Sequence, residues 1–189
     1  MPEVYEKTAM CTMFNDWLIY KMTGVFSSEP SNACTTGIFD LKARDWDDQI
    51  AASIGLKTGI FPKISECGTV VAQVGAKGAA ETGLAEGTPV VAGGGDAQLG
   101  CVGVGVVDAN QAAIFGGSFW QYEYNTDEAK TDEHCRVRVN CHSVPGIWQY
   151  EALAFKPGMV MRWYRDAFCQ YEKELSKTTG RDPYDLMNE

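Results

Sequence analysis

The chain has 189 residues, of which 45% are hydrophobic and 22% are charged, a composition typical of a globular protein with a substantial core. Its formal net charge of −9 argues against nucleic acid or an anionic membrane surface as the main partner. The sequence contains neither a secretory signal nor a run of about 20 apolar residues that could cross a membrane. Seven cysteines occur singly, without a C-x-x-C pair, which favours free thiols and a cytoplasmic protein.

The first part of the chain predicts short helices and strands separated by loops. Apolar residues at three-to-four spacing predict one amphipathic helix from Tyr5 to Met22, ended by Gly24. Asp16 lies between the apolar positions of this helix. An aspartate there is more often on the solvated face than in a functional site. The hydroxyl-rich stretch 27–36 predicts a loop. Its side chains either bind a polyol or only form hydrogen bonds within the turns of the loop. Further elements are expected as a strand at 37–41, a helix at 45–54, an extended stretch at 68–74 and a helix at 75–83.

The stretch from Thr88 to Gly105 is where we expect the site. Four apolar residues, Pro89 to Ala92, predict a buried strand, and three glycines end it before a helix of small residues. Asp96 lies at the start of that helix, where its carboxylate can cap free amides and project from the turn. An ordinary capping aspartate is the simpler interpretation. The lysine of a Walker A motif and the third glycine of a dinucleotide fingerprint are both missing.

The second part of the chain predicts a glycine-turn hairpin and a long helix. The turn Gly116-Gly117-Ser118 separates two apolar runs, and its amides could bind an anion, although a structural turn is the commoner explanation. From Met159 to Leu175, aromatic and aliphatic residues form one stripe that predicts a core-facing helix. That helix begins after Pro157 and Gly158, so its N-terminus is available to an anion.

The most specific feature of the sequence is a set of short motifs in a particular order. They are Asn15-Asp16-Trp17-Leu18, Glu29-Pro30-Ser31-Asn32-Ala33, Thr35-Thr36-Gly37, Asp45-Trp46, Gly93-Gly94-Gly95-Asp96-Ala97-Gln98-Leu99-Gly100, Gly116-Gly117-Ser118-Phe119-Trp120-Gln121, Arg136-Val137-Arg138-Val139-Asn140 and the run from Met161 to Cys169. In order and spacing, over nearly the whole chain, they resemble the FGGY family of carbohydrate kinases and, within it, the autoinducer-2 kinases.

The resemblance implies a fold class and a domain organisation. It implies an α/β fold of the actin-like, ribonuclease H-like ATPase class, present here in part. Residues 1–104 would be the C-terminal part of the family's N-terminal, substrate-binding domain, and 105–189 the N-terminal part of its C-terminal, nucleotide-binding domain. The family's earlier phosphate motif and later adenosine motif are absent, so we expect this polypeptide alone to be inactive. Apolar faces left uncovered would favour self-association into a homo-oligomer.

The resemblance also implies an activity and its residues. We expect phosphorylation of a primary hydroxyl of a small sugar-like substrate, with ATP and Mg²⁺ as cofactors and neither nucleic acid nor membrane as a partner. Asp96 matches the catalytic general base and would also bind the metal. The matching nucleotide-binding positions are Gly116, Gly117, Ser118 and Gly158, and the candidate substrate-binding residues are Asn32 and Gln98.

The sequence is compatible with three functions. Ala97 stands where many relatives have a glutamine that can bind a sugar hydroxyl, which favours a less hydroxylated substrate, autoinducer-2 in its linear dihydroxy-pentanedione form. The alternative substrate is a ketopentose such as xylulose. A non-catalytic actin-like binding module is the third hypothesis, and dependence of phosphoryl transfer on Asp96 separates it from the first two.

Overall fold

A computed structural model describes residues 2–189, which form helices and short strands. The helices are α1 (Pro2–Glu6), α2 (Phe14–Thr23), α3 (Pro30–Ala33), α4 (Asp48–Ser53), α5 (Ala76–Thr82), α6 (Asp96–Gly103), α7 (Pro157–Phe168), α8 (Gln170–Thr179) and α9 (Pro183–Met187), with a 3₁₀ turn at Cys34–Thr36. The strands are β1 (Phe39–Asp40), β2 (Asp45–Trp46), β3 (Val70–Gln73), β4 (Pro89–Val91), β5 (Ala112–Gly116), β6 (Trp120–Thr126), β7 (Arg138–Cys141) and β8 (Trp148–Ala154). None of the helices within residues 2–189 is long and apolar enough to cross a membrane.

The strands form three sheets. Two are antiparallel pairs, β1 with β2 and β3 with β4, and the third has four strands in the order β5-β6-β8-β7. In the antiparallel β7–β8 pair, Arg138 lies opposite Glu151 and Cys141 opposite Trp148. The predicted hairpin at residues 116–118 is therefore present as the β5–β6 connection, because turn glycines between apolar runs are a strong local signal.

The chain divides into two compact units. The first contains the chain up to Ala113 together with Glu123–Glu151, and the second contains Ile114–Tyr122 and Ala152–Glu189. The first unit has a small apolar core of Ala33, Phe39 and Cys141, with the partly buried side chains of Cys34, Leu41, Trp46, Ile64 and Trp148 packed against it.

The helix predicted from Tyr5 to Met22 is two helices in the structure. The residues between α1 and α2 are not helical, because Asp16 Oδ2 accepts a hydrogen bond from the Met13 N–H at 3.0 Å and fixes a new helix start there. Gly24 ends α2 in the left-handed conformation, as predicted. Asp16 is only 1% exposed, so the expectation of a solvated side chain is wrong.

Two other local predictions are also wrong. The stretch 27–36 contains α3 and a 3₁₀ turn rather than a loop, because the Glu29 carboxylate accepts from the free N–H groups of Ser31 and Asn32 at the start of α3. The strand at Pro89–Val91 is not buried: Val91 is 47% exposed, since β4 pairs with β3 alone within the described part of the chain.

The long helix predicted from Met159 to Leu175 is divided at Cys169 into α7 and α8. Its apolar stripe does not lie in a core, because Trp163, Phe168 and Tyr171 are 59%, 64% and 74% exposed. The helical period was correct, but the prediction that this stripe is buried is wrong for residues 2–189.

Candidate functional site

The turn before α6 places the Asp96 carboxylate at the surface. Gly95 is the N-cap residue and Asp96 is the first residue of the helix, where its Oδ1 accepts from the Ala97 N–H at 2.8 Å. The side chain is exposed, and its Oδ2 makes no hydrogen bond with residues 2–189. One carboxylate oxygen can therefore take a proton or bind a cation at the positively polarised end of a helix.

The backbone of this turn is held by a buried network from α3. The Gly95 N–H donates to Ser31 Oγ at 2.8 Å, and the Ser31 hydroxyl donates to Glu29 Oε2 at 2.7 Å. Glu29 is 1% exposed, and its carboxylate also accepts from the backbone N–H groups of Ser31 and Asn32 and from the Cys67 thiol. A buried carboxylate with this many donors is well satisfied, so it fixes α3 and the turn against each other.

Two amide side chains approach the glycine at position 95. A Cβ placed on Gly95 would collide with Gln98 Oε1 and would lie 3.6 Å from Asn32 Oδ1. The Asn32 and Gln98 side chains thus converge on the residue directly before Asp96. Two amides beside an exposed carboxylate provide donors and acceptors suited to a small polyhydroxyl molecule.

A second, buried carboxyl belongs to Glu123 on β6. The Glu123 side chain is 0% exposed, and neither of its oxygens has a hydrogen-bond partner among residues 2–189. Burial, followed by the negative charges of Glu151 and Asp96, raises the pKa of Glu123 to about 8. Glu123 is therefore neutral at pH 7 and does not add a second negative charge near Asp96.

The second compact unit contains the predicted nucleotide-binding residues. The Gly117 N–H donates to the Phe119 carbonyl at 2.8 Å and closes the turn at Gly116-Gly117-Ser118. A Cβ on Gly158 would collide with the Gly117 carbonyl oxygen and lie 3.3 Å from Ser118 Cα. Glycine at 158 thus lets the start of α7 pack directly on the hairpin turn, an arrangement of amides that suits a phosphate.

The turn before α6 offers a cation one exposed carboxylate, that of Asp96. Residues 2–189 contain no group of three or more His, Cys, Asp or Glu side chains placed to hold a metal ion. Mg²⁺ bound with a nucleotide usually takes one or two carboxylates, and phosphates and water complete its coordination. The free oxygen of Asp96 fits that pattern.

The structure thus groups the predicted residues in two sets. Asn32, Asp96 and Gln98 lie together in the first unit, and Gly116–Ser118 with Gly158 lie together in the second. Sequence reasoning missed the supporting residues Glu29 and Ser31. The available signal is a capping residue directly before a proline, which is a usual start of a helix. The prediction of a loop over this stretch does not use it.

Comparison with known protein families identifies the first part of the chain. The model described as "FGGY family of carbohydrate kinases, N-terminal domain" matches residues 1–103. The chain is 46% identical over 188 residues to an autoinducer-2 kinase from Enterobacter sp. (strain 638), covering 100% of this chain. It spans only 36% of the length of that relative.

Solved structures show the same fold at low identity. A ligand-bound xylulose kinase from Lactobacillus acidophilus matches with a TM-score of 0.82 and 20% identity, over 99% of this chain and 36% of its own. Plasmodium falciparum glycerol kinase with ADP matches with a TM-score of 0.77 and 18% identity, over 93% of this chain and 37% of its own. The predicted fold class, a partial actin-like, ribonuclease H-like α/β fold, is confirmed.

Proposed function

Because the chain belongs to the FGGY family of carbohydrate kinases, we propose that it is the central part of an ATP-dependent kinase for a small sugar-like substrate. The observation that carries the proposal is the exposed Asp96 carboxylate, held at the start of α6 beside the amides of Asn32 and Gln98. The whole protein's activity is proposed here for the longer polypeptide of which such a chain forms about a third.

Asp96 is the general base in this proposal. Its free Oδ2 accepts the proton of the acceptor hydroxyl as that oxygen attacks the γ-phosphate. Gln98 and Asn32 hold neighbouring oxygens of the substrate, so that the reacting hydroxyl faces Asp96. The hydrogen bond from Gly95 to Ser31 supports this geometry, because it fixes the backbone that carries Asp96.

The hairpin turn and the start of α7 are proposed to bind the phosphates of ATP. Gly116 and Gly117 are exposed and carry no side chain, Ser118 adds an exposed hydroxyl, and Gly158 allows α7 to approach the turn. Asp96 would also hold Mg²⁺, which would supply positive charge for phosphoryl transfer. The boundary between the substrate and nucleotide domains is proposed near residue 104, and the end of the family model at residue 103 supports it.

The proposed acceptor is the primary hydroxyl of autoinducer-2 in its linear dihydroxy-pentanedione form. The 46% identity to an autoinducer-2 kinase supports it. So does Ala97, which has no polar side chain to offer to a further substrate hydroxyl. A ketopentose is the second candidate, favoured by the structural likeness to a xylulose kinase at a TM-score of 0.82.

The test is phosphoryl transfer from Mg·ATP by the intact protein to the autoinducer-2 precursor, xylulose, ribulose and glycerol. The highest kcat/KM is expected with the precursor. Preference for xylulose or ribulose would keep the kinase proposal and replace the substrate. Absence of transfer to every acceptor, from protein that folds and binds ATP, would favour a non-catalytic module.

A further inference from the structure

The first compact unit contains two cysteines that are far apart in sequence but in contact in the structure. Cys34 begins the 3₁₀ turn after α3, and Cys141 ends β7. The Cys141 N–H donates to Cys34 Sγ at 3.3 Å, and the Cys34 thiol lies 3.3 Å from the Ser31 carbonyl. Cys141 is 0% exposed, whereas Cys34 is only half-buried, so Cys34 is the more accessible residue of the two.

We propose that Cys34 and Cys141 are a peroxide-sensitive pair, in which Cys34 reacts first and Cys141 then closes an intramolecular disulfide. This modification site is independent of the proposed phosphoryl transfer. Thiol reactivity depends on thiolate character and on access to solvent. Cys34 is the attacking sulfur on both grounds, and Cys141 is the resolving sulfur.

The charges around the pair favour a thiolate at Cys34. The Cys141 thiol and N–H both hydrogen-bond the Cys34 sulfur, and the Arg44 guanidinium adds to their effect, so the pKa of Cys34 is lowered although burial and the Glu29 charge oppose the shift. Hydrogen bonding to Cys34 and burial raise the pKa of Cys141, which therefore keeps its proton. Of the two thiols, the more accessible Cys34 is therefore the one that ionises more readily.

Arg44 is fixed in place beside the two sulfurs. Its guanidinium makes two hydrogen bonds of 2.7 Å to the Glu66 carboxylate. It also donates to the carbonyls of His142 at 3.0 Å and Ile147 at 3.2 Å. These bonds connect the positive charge to both ends of the β7–β8 turn, next to Cys141, so its effect on the sulfurs does not depend on a mobile side chain.

The chemistry balances with hydrogen peroxide as the oxidant. The Cys34 thiolate attacks one peroxide oxygen, the O–O bond breaks, and hydroxide leaves, giving a sulfenic acid at Cys34. The Cys141 sulfur then attacks the Cys34 sulfur, the S–O bond breaks, and the oxygen leaves as water with the Cys141 proton. Two thiols are oxidised, and one peroxide is reduced to two waters.

Two other thiols, Cys67 and Cys101, lack these conditions. Burial and the Glu29 charge raise the pKa of Cys67 to about 12. Burial also raises the pKa of Cys101, whose sulfur accepts from the Gln149 amide. Cys135 is exposed and makes no side-chain hydrogen bond with residues 2–189, so it is the matched control for simple accessibility.

The experiment is peptide mapping of the intact protein after brief treatment with hydrogen peroxide at pH 7. Remaining thiols are alkylated in denaturant, and the digest is analysed by mass spectrometry with and without reductant. We expect a Cys34–Cys141 linked peptide that disappears on reduction. In Cys141→Ser the link is lost, and dimedone captures a sulfenic acid at Cys34. In Cys135→Ser the yield of the linked peptide is unchanged, whereas Cys34→Ser lacks one of the two sulfurs and gives no linked peptide.

Two results overturn the proposal. One is a wild-type protein in which Cys135 is oxidised while Cys34 and Cys141 stay reduced. The other is a Cys34 adduct that forms equally in wild type and Cys141→Ser, without a linked peptide in either. Because the wild-type map is decisive alone, the test does not depend on how well the serine variants fold.

Discussion

In the wild type the free energy of unfolding is expected to fall as the pH rises. Replacing Glu123 with glutamine should remove most of this fall. The Glu123 carboxyl is 0% exposed and unpaired among residues 2–189, and burial with the charges of Glu151 and Asp96 raises its pKa from 4.5 to about 8. Between those values the folded protein holds a proton on Glu123 that the unfolded chain has released. Stability contributed by this group is therefore full below pH 4.5 and falls until about pH 8.

The size of the effect follows from the width of that window. Each pKa unit of difference corresponds to about 1.4 kcal/mol, so the loss between the two pKa values is on the order of 5 kcal/mol. A glutamine has nearly the same shape as the protonated carboxyl and does not titrate in this range. Glu123→Gln should therefore match the wild type near pH 5 and exceed it in stability by several kcal/mol at pH 8.

The assay is urea unfolding followed by tryptophan fluorescence between pH 5 and pH 8. Glu128→Gln is the control, because Glu128 is an exposed carboxylate on the loop after β6 and its replacement should leave the pH dependence unchanged. If wild type, Glu123→Gln and Glu128→Gln lose stability in parallel over this range, the assignment of a neutral buried Glu123 is wrong.

Two further substitutions test the packing around the site. Ser31→Ala leaves the Gly95 N–H without its acceptor and should cost about 1–3 kcal/mol in urea unfolding and lower kcat in the intact protein; unchanged stability and kcat would contradict the proposed support. Gly158→Ala drives a Cβ into the hairpin backbone, 2.8 Å from the Gly117 carbonyl carbon, and should cost about 1–3 kcal/mol and weaken ATP binding. Gly103→Ala, with open space at its Cβ, should instead be neutral or gain up to about 1 kcal/mol, and equal losses in both would refute the close-contact argument.

Local signals were sufficient to predict the strand, turn and helix around Asp96. Glycines between an apolar run and a helical segment specify that arrangement through backbone conformation alone, and the β5–β6 hairpin was predictable for the same reason. The convergence of Asn32 and Gln98 was not predictable, since it depends on contacts between residues more than 60 positions apart. Sequence spacing gives no distance between separate elements.

Burial was the least predictable property. On β6 the aromatic residues Trp120 and Tyr122 are 43% and 44% exposed, while Glu123 and Asn125 on the same strand are 0% exposed. Alternation identifies two faces, but it predicts the apolar face as the buried one, the reverse of what these residues show. On α7, Trp163 is likewise exposed although the helical period was correct. A pattern assigns residues to faces, and only the packed neighbours decide which face is covered.

The central claim is that the Asp96 carboxylate is the base for phosphoryl transfer, and the most direct measurement is the single-turnover rate of Asp96→Asn in the intact protein. Asp108→Asn is the matched control, because Asp108 is exposed and its carboxylate makes no hydrogen bond with residues 2–189. With Mg·ATP and the preferred acceptor, Asp96→Asn is expected to lower the rate by about 10²–10⁴-fold while ATP still binds. Asp108→Asn is expected to transfer phosphate at the wild-type rate. Transfer by Asp96→Asn at the rate of Asp108→Asn would contradict the assignment of Asp96 as the catalytic base.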